Sequence, residues 1–232
     1  MEPSAVPLSQ PAPVVSDPPP HTVRGEPPPL HGGPLAFLRF ARRNGMFTWG
    51  YLVLLLRLGV YKLRWGKRLQ LDGIAFICPG VKLELGRDAR LHLGRWSWLG
   101  NGCKVRVHEG ECRIGAKTMI GQECTFSVFQ HVSIGRECIV ADRAMFIDFD
   151  HGVVEVERPI REQGIYKRDV AIGHNCWIGY GACVLRGATI GDNSVVGTYT
   201  VVTKDIPANS VAVGLPAKVV RKRDAPKTLR WE

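Results

Sequence analysis

The 232-residue sequence has no run of 18 apolar residues, which argues against a clean membrane-spanning helix. Residues 1–10 show no basic cluster followed by an apolar stretch, so they do not read as a secretory signal. The seven cysteines are odd in number and include no C-x-x-C pair, which disfavours a disulfide scaffold and a structural zinc site. A reducing cytoplasm is the simplest compartment. No acid occurs between residues 35 and 68, although eight Arg and Lys do. What the chain has in excess is glycine, 26 residues, which signals many tight backbone positions. With 45% hydrophobic and 22% charged residues it can build a real core, and its formal charge is +10.

Composition divides the chain. Residues 1–34 hold 11 of the 16 prolines and little that is bulky, so they read as a disordered tail. Residues 35–68 interleave Arg39, Arg42, Arg43, Arg57, Lys62, Arg64, Lys67 and Arg68 with Phe37, Phe40, Phe47, Trp49 and a Leu-rich run. This basic amphipathic helical segment can cap the open end of a β-domain, or lie on an anionic membrane at its inner face, or both. The charge is confined to one segment rather than spread over a face, so nucleic acid is not an expected partner.

Residues 69–218 carry the main signal, and 219–232 read as a basic C-terminal tail. An aliphatic residue recurs every sixth position at Ile172, Ile178, Val184, Ile190, Val196 and Val202. The same beat appears earlier as Leu93, Leu99, Val105, then Ile114, Ile120, Phe126, then Ile134, Val140, Phe146. A helix would repeat at 3.6 and an isolated strand at 2. A period of six means a short strand followed by a corner, with three faces closing one coil of a triangular solenoid. Coils then stack at about 4.8 Å, with aliphatic columns inside. From Phe146 to Ile172 the beat breaks, which predicts a loop leaving near Asp148 and returning near Val170. Residues 69–84 read as an irregular first coil with Ile77 and Val81 inside. Cys103, Cys124, Cys138 and Cys176 fall at the small inward position two before an aliphatic residue, so they read as core rather than as ligands or nucleophiles.

With these repeats in hand, residues 80–222 resemble the hexapeptide-repeat acyltransferases, whose fold is a left-handed parallel β-helix. The stretch from Val170 to Lys222 is similar to the sugar and polysaccharide O-acetyltransferases of that family. The resemblance rests on Trp177-Ile178-Gly179, Val202-Thr203-Lys204-Asp205 and Pro216-Ala217-Lys218. It implies a homotrimer with acetyl-CoA as acyl donor in a groove between subunits and a hydroxyl-bearing saccharide acceptor; no metal is expected, because neither His131 nor His151 has a further His close in sequence. By match to the family's motifs, Tyr180, Thr198, Thr203 and Lys204 line that groove, with Lys218 and Arg221 near the phosphates. Tyr180 and Thr198 are one coil apart, so they should share an edge.

The resemblance also implies that a His at the start of the long loop is the catalytic base, and His151 in "FIDFDHG" holds that place. An imidazole titrates near neutrality and suits removal of a hydroxyl proton. Asp148 or Asp150 would orient it; both fall on the same side of a strand, and Asp148 is the first choice. His131 is five residues after Phe126 and His151 five after Phe146, which predicts that the two rings stack in adjacent coils. Transfer is direct in a ternary complex, without a Ser or Cys nucleophile. The other readings are a silent hexapeptide scaffold, N-acyl transfer to an amino sugar, and a metal hydrolase of the carbonic anhydrase type.

Overall fold

The structure is a computed structural model that describes residues 34–223. The expected Pro-rich tail, up to residue 33, and residues 224–232 of the basic tail lie outside the described residues. The body is a left-handed parallel β-helix of six coils. Its first and third faces are six-stranded sheets and its second face is eight-stranded.

The hexapeptide beat translates directly into register. On the first face Leu93, Ile114 and Ile134 are successive neighbours, followed by Ile172 and Ile190. On the third face Val105, Phe126, Phe146, Val184 and Val202 do the same. All these side chains are buried, and the Phe126 and Phe146 rings stack with centroids 4.8 Å apart. The first coil is regular, contrary to expectation: Leu69–Leu71, Phe76–Ile77 and Lys82–Leu85 each take a place on one face. Ile77 and Val81 are buried in it, as the pattern predicts. At the other end, Lys218–Lys222 forms a strand antiparallel to Ser210–Val213, so residues 219–222 are not a simple tail.

Two local rules hold the coils at their spacing. Where the small inward residue is Cys or Thr, it also donates a hydrogen bond to the next coil. The thiols of Cys103, Cys124, Cys138 and Cys176 donate to the carbonyls of Gly121, Ala141, Gly173 and Gly191. Thr118 does the same more strongly, its hydroxyl 2.6 Å from the Gly135 carbonyl. The glycine that follows the aliphatic residue answers to crowding rather than to a turn. A Cβ on Gly179 would stand 2.6 Å from the Gly197 carbonyl carbon and the Thr198 nitrogen. The left-handed corner conformation instead falls to residues such as Lys117, Arg143, Asn175 and Tyr199.

The basic segment forms two helices, α1 (Pro34–Arg43) and α2 (Trp49–Trp65). Thr48 caps α2, its hydroxyl accepting from the Tyr51 amide, and Gly66 ends it with φ of 54°. α2 closes the open end of the solenoid. Leu58 is buried in the core cluster, Tyr61 and Trp65 pack against it, and the Tyr61 hydroxyl donates to the Val81 carbonyl.

Candidate functional site

The solenoid is interrupted once, after the strand Met145–Ile147 on the third face. There the chain leaves as an antiparallel hairpin of Phe149–His151 with Ile165–Lys167, and rejoins at Val170–Ile172. Asp148 anchors the exit. Its side chain has no exposed surface. One carboxylate oxygen accepts from the Phe129 amide at 2.8 Å and the other from the Gln130 amide at 2.7 Å. The Arg168 amide donates to the Asp148 carbonyl at 2.9 Å and closes the root. Farther out, Arg186 Nε meets Asp150 at 2.6 Å and Lys167 Nζ meets Glu109 at 2.6 Å.

His151 is exposed on the first strand of this hairpin. Neither aspartate orients it: Asp148 is committed to the preceding coil and Asp150 to Arg186. Among the described residues the His151 side chain has no hydrogen-bond partner. It is held instead by an aromatic ladder. His108 stacks on Phe129 at 4.3 Å, Phe129 meets Phe149 at 4.6 Å, and Phe149 meets His151 at 5.9 Å. The expected stacking of His131 and His151 does not occur. His131 lies on the first-face strand His131–Ile134, and the register of Val132 with Val170 makes Asp169 its next-coil neighbour. The chain has already left the coil at Asp148, so His151 never reaches that position.

The groove residues divide between two corners of the prism. Thr203 and Lys204 follow the third-face strand Val201–Val202 and share the corner from which the hairpin leaves. Tyr180 and Thr198 lie at the corner between the second and third faces, neighbours as expected, since Ile178 registers with Val196. The Tyr180 ring there meets Tyr199 at 5.4 Å, with the Arg143 guanidinium 5.9 Å from the Tyr180 centroid. A hydrogen bond to Glu123 raises the basicity of that guanidinium. Lys218 begins the last strand opposite Val213, at the end of the second face nearest this corner, and Arg221 lies farther along it opposite Val211. Among the described residues no three His, Cys, Asp or Glu side chains converge to hold a metal ion.

The comparisons with known proteins agree with the repeat. The pattern described as "Bacterial transferase hexapeptide (six repeats)" matches residues 169–204. A protein of Mycobacterium tuberculosis named a probable acetyltransferase is 38% identical over 199 residues, covering 85% of this chain and 65% of that protein. The galactoside O-acetyltransferase of Escherichia coli is 40% identical over 149 residues, covering 64% of this chain and 61% of its own. These matches make the chain similar to the hexapeptide-repeat acyltransferase family. The chain spans less than two thirds of the length of either of these relatives. A solved hexapeptide-repeat acetyltransferase of Vibrio cholerae, in complex with acetyl coenzyme A, superposes with a TM-score of 0.52 and 26% identity. That match covers 56% of this chain and 70% of the other.

Within this hexapeptide-repeat solenoid, the residues that sequence reasoning missed are those that place His151. His108, Phe129 and Phe149 occupy one corner in successive coils, spaced like the aliphatic columns. Because they point outward, a search for inward positions passes over them. The pairing of Asp150 with Arg186 joins residues 36 apart across the loop, and no local pattern announces it.

Proposed function

We propose that the protein is an acyl-CoA-dependent O-acyltransferase that acetylates a hydroxyl of a saccharide, a cell-envelope glycan precursor being the natural acceptor. The observation that carries the reading is the single hairpin set into an otherwise continuous solenoid, rooted by a fully buried carboxylate and presenting an exposed imidazole. A purely structural solenoid has no use for that interruption. Acetyl-CoA would supply an activated thioester carbonyl. His151 takes the proton from the acceptor hydroxyl as its oxygen attacks that carbonyl, then returns a proton to the departing sulfur as the C–S bond breaks. Asp148 acts as a positioning residue, fixing the hairpin root. Tyr180, Thr198, Thr203 and Lys204 line the donor groove, and Lys218 and Arg221 offer cations to the phosphates.

A homotrimer completes this reading. The donor residues of one chain lie on two different corners, and a three-fold neighbour can set one copy's hairpin corner beside another's Tyr180 corner. The second face supports such packing: Met119, Ile139 and Trp177 register as a column, each more than half exposed. The setting we propose is the cytoplasm.

The test is calorimetric titration with acetyl-CoA, succinyl-CoA and free CoA, followed by acetyl transfer to hydroxyl and amino sugars. Saturable binding of an acyl-CoA with transfer to a hydroxyl supports the reading, and transfer to the amine alone redirects it to N-acylation. A folded protein that binds no CoA species is a hexapeptide scaffold.

A further inference from the structure

The helix α2 has two apolar faces. One packs on the solenoid through Leu58, Tyr61 and Trp65. The other carries Trp49, Leu52, Leu56, Val60 and Leu63, spaced by three and four residues, which places them on one stripe. Their exposures are 76%, 45%, 60%, 64% and 86%. A helix apolar on both sides normally lies between two apolar partners, and the described residues supply only one. Phe47, 66% exposed, extends the patch toward α1. A cavity of about 430 Å³ opens beside the stripe, sharing Trp49 and Leu52 with it and lined further by Phe47, Leu55 and Phe76. A second cavity, of about 500 Å³, is lined in part by Arg57, whose buried Nε has no hydrogen-bond partner among the described residues.

We infer that this cap seats the protein on an anionic lipid surface, with the stripe of α2 in the interface. Charge selects this occupant. Residues 35–71 contain eight Arg and Lys and no acid, the pattern that draws a segment to an anionic leaflet. The same charge opposes the rival occupant, a second copy's cap, which would set like charge against like. Among the described residues no helix is long and apolar enough to cross a membrane, so the contact is peripheral. The cavity beside Trp49 gives an acyl chain a place to enter, and the unpartnered Arg57 donor lies next to Leu56 in the sequence. The inference does not rest on the acyltransferase reading, and its test uses no enzymatic readout.

The experiment is co-sedimentation of the full chain with vesicles of phosphatidylcholine alone, and with vesicles in which about a third of the lipid is phosphatidylglycerol. Leu56→Glu/Leu63→Glu and Arg39→Ser/Arg42→Ser are compared with the parent, and Trp49→Phe identifies the emission of Trp49. All these side chains are exposed, and thermal unfolding verifies that the variants fold. The expected result is binding to the anionic vesicles at least about tenfold tighter than to the neutral ones, weakened by salt and by about tenfold in each double variant. A blue shift in the Trp49 emission should accompany it. Equal recovery with both vesicle types, or none with either, overturns the inference. So does a Glu variant that changes the sedimentation coefficient in free solution without changing vesicle recovery, because the stripe then meets another copy.

Discussion

The ring of Phe149 meets that of His151 in a T-shaped contact, with centroids 5.9 Å apart and planes at 86°. Among the described residues this ring contact fixes the proposed base, and no carboxylate there bonds it. Aromatic pairs of this geometry contribute about 1 kcal/mol beyond area burial, enough to favour one orientation of an exposed ring. Phe149→Ala should therefore lower kcat about tenfold while leaving the affinity for acetyl-CoA unchanged, and Phe149→Tyr should restore it. Steady-state kinetics on both variants checks this. A rise in KM with constant kcat would give Phe149 a binding role instead.

Asp148 has a different signature. Removing its carboxylate leaves the Phe129 and Gln130 amides without their acceptor. Asp148→Ala should cost about 2–4 kcal/mol of stability and loosen the hairpin, and Asp148→Asn, which keeps one acceptor oxygen, should cost less. Urea denaturation measures the loss, and proteolysis within residues 152–164 reports the hairpin. His151→Asn should show neither effect, which separates positioning from chemistry.

The thiols offer a pH test. Burial pushes the Cys112 thiol well above its ordinary value of 9.0. A raised folded pKa means that the neutral form is favoured in the fold. Its contribution is therefore complete below about pH 9 and is lost as pH rises, because only the unfolded chain can then shed the proton. Stability by urea denaturation should fall above that pH, and the fall should shrink in Cys112→Ala. An aromatic disulfide reagent should leave this thiol unlabelled in the native protein and label it in urea. Rapid labelling of native Cys112 would contradict its placement.

The exposed column of Met119, Ile139 and Trp177 predicts the assembly. Ile139→Glu/Trp177→Glu should convert a trimer into monomers in sedimentation velocity. Both side chains are more than half exposed in the single chain, so the fold should survive. A monomeric parent protein would remove the intersubunit groove from the account.

The solenoid was legible because its core is strictly periodic. Each aliphatic position from Leu93 to Val202 reports one strand, and the single break reports the hairpin. The register also foretold that Tyr180 and Thr198 share an edge. What the beat does not encode is anything outside the core. The choice between Asp148 and Asp150 as partner of His151 could not be read, because the carboxylates answer to amides a coil away and to Arg186. The stacking of His131 with His151 failed for the same reason: counting from Phe126 and Phe146 assumes that both chains continue around the coil. The regular first coil was obscured because Leu69 and Leu91 are 22 residues apart, with the extra residues in corners.

If His151 removes the acceptor's proton, single-turnover acetyl transfer by His151→Asn reports its loss. The transfer rate should fall at least about 100-fold, about 3 kcal/mol of transition-state stabilisation, with acetyl-CoA binding unchanged by calorimetry. Transfer at a rate near that of the parent protein would contradict that role.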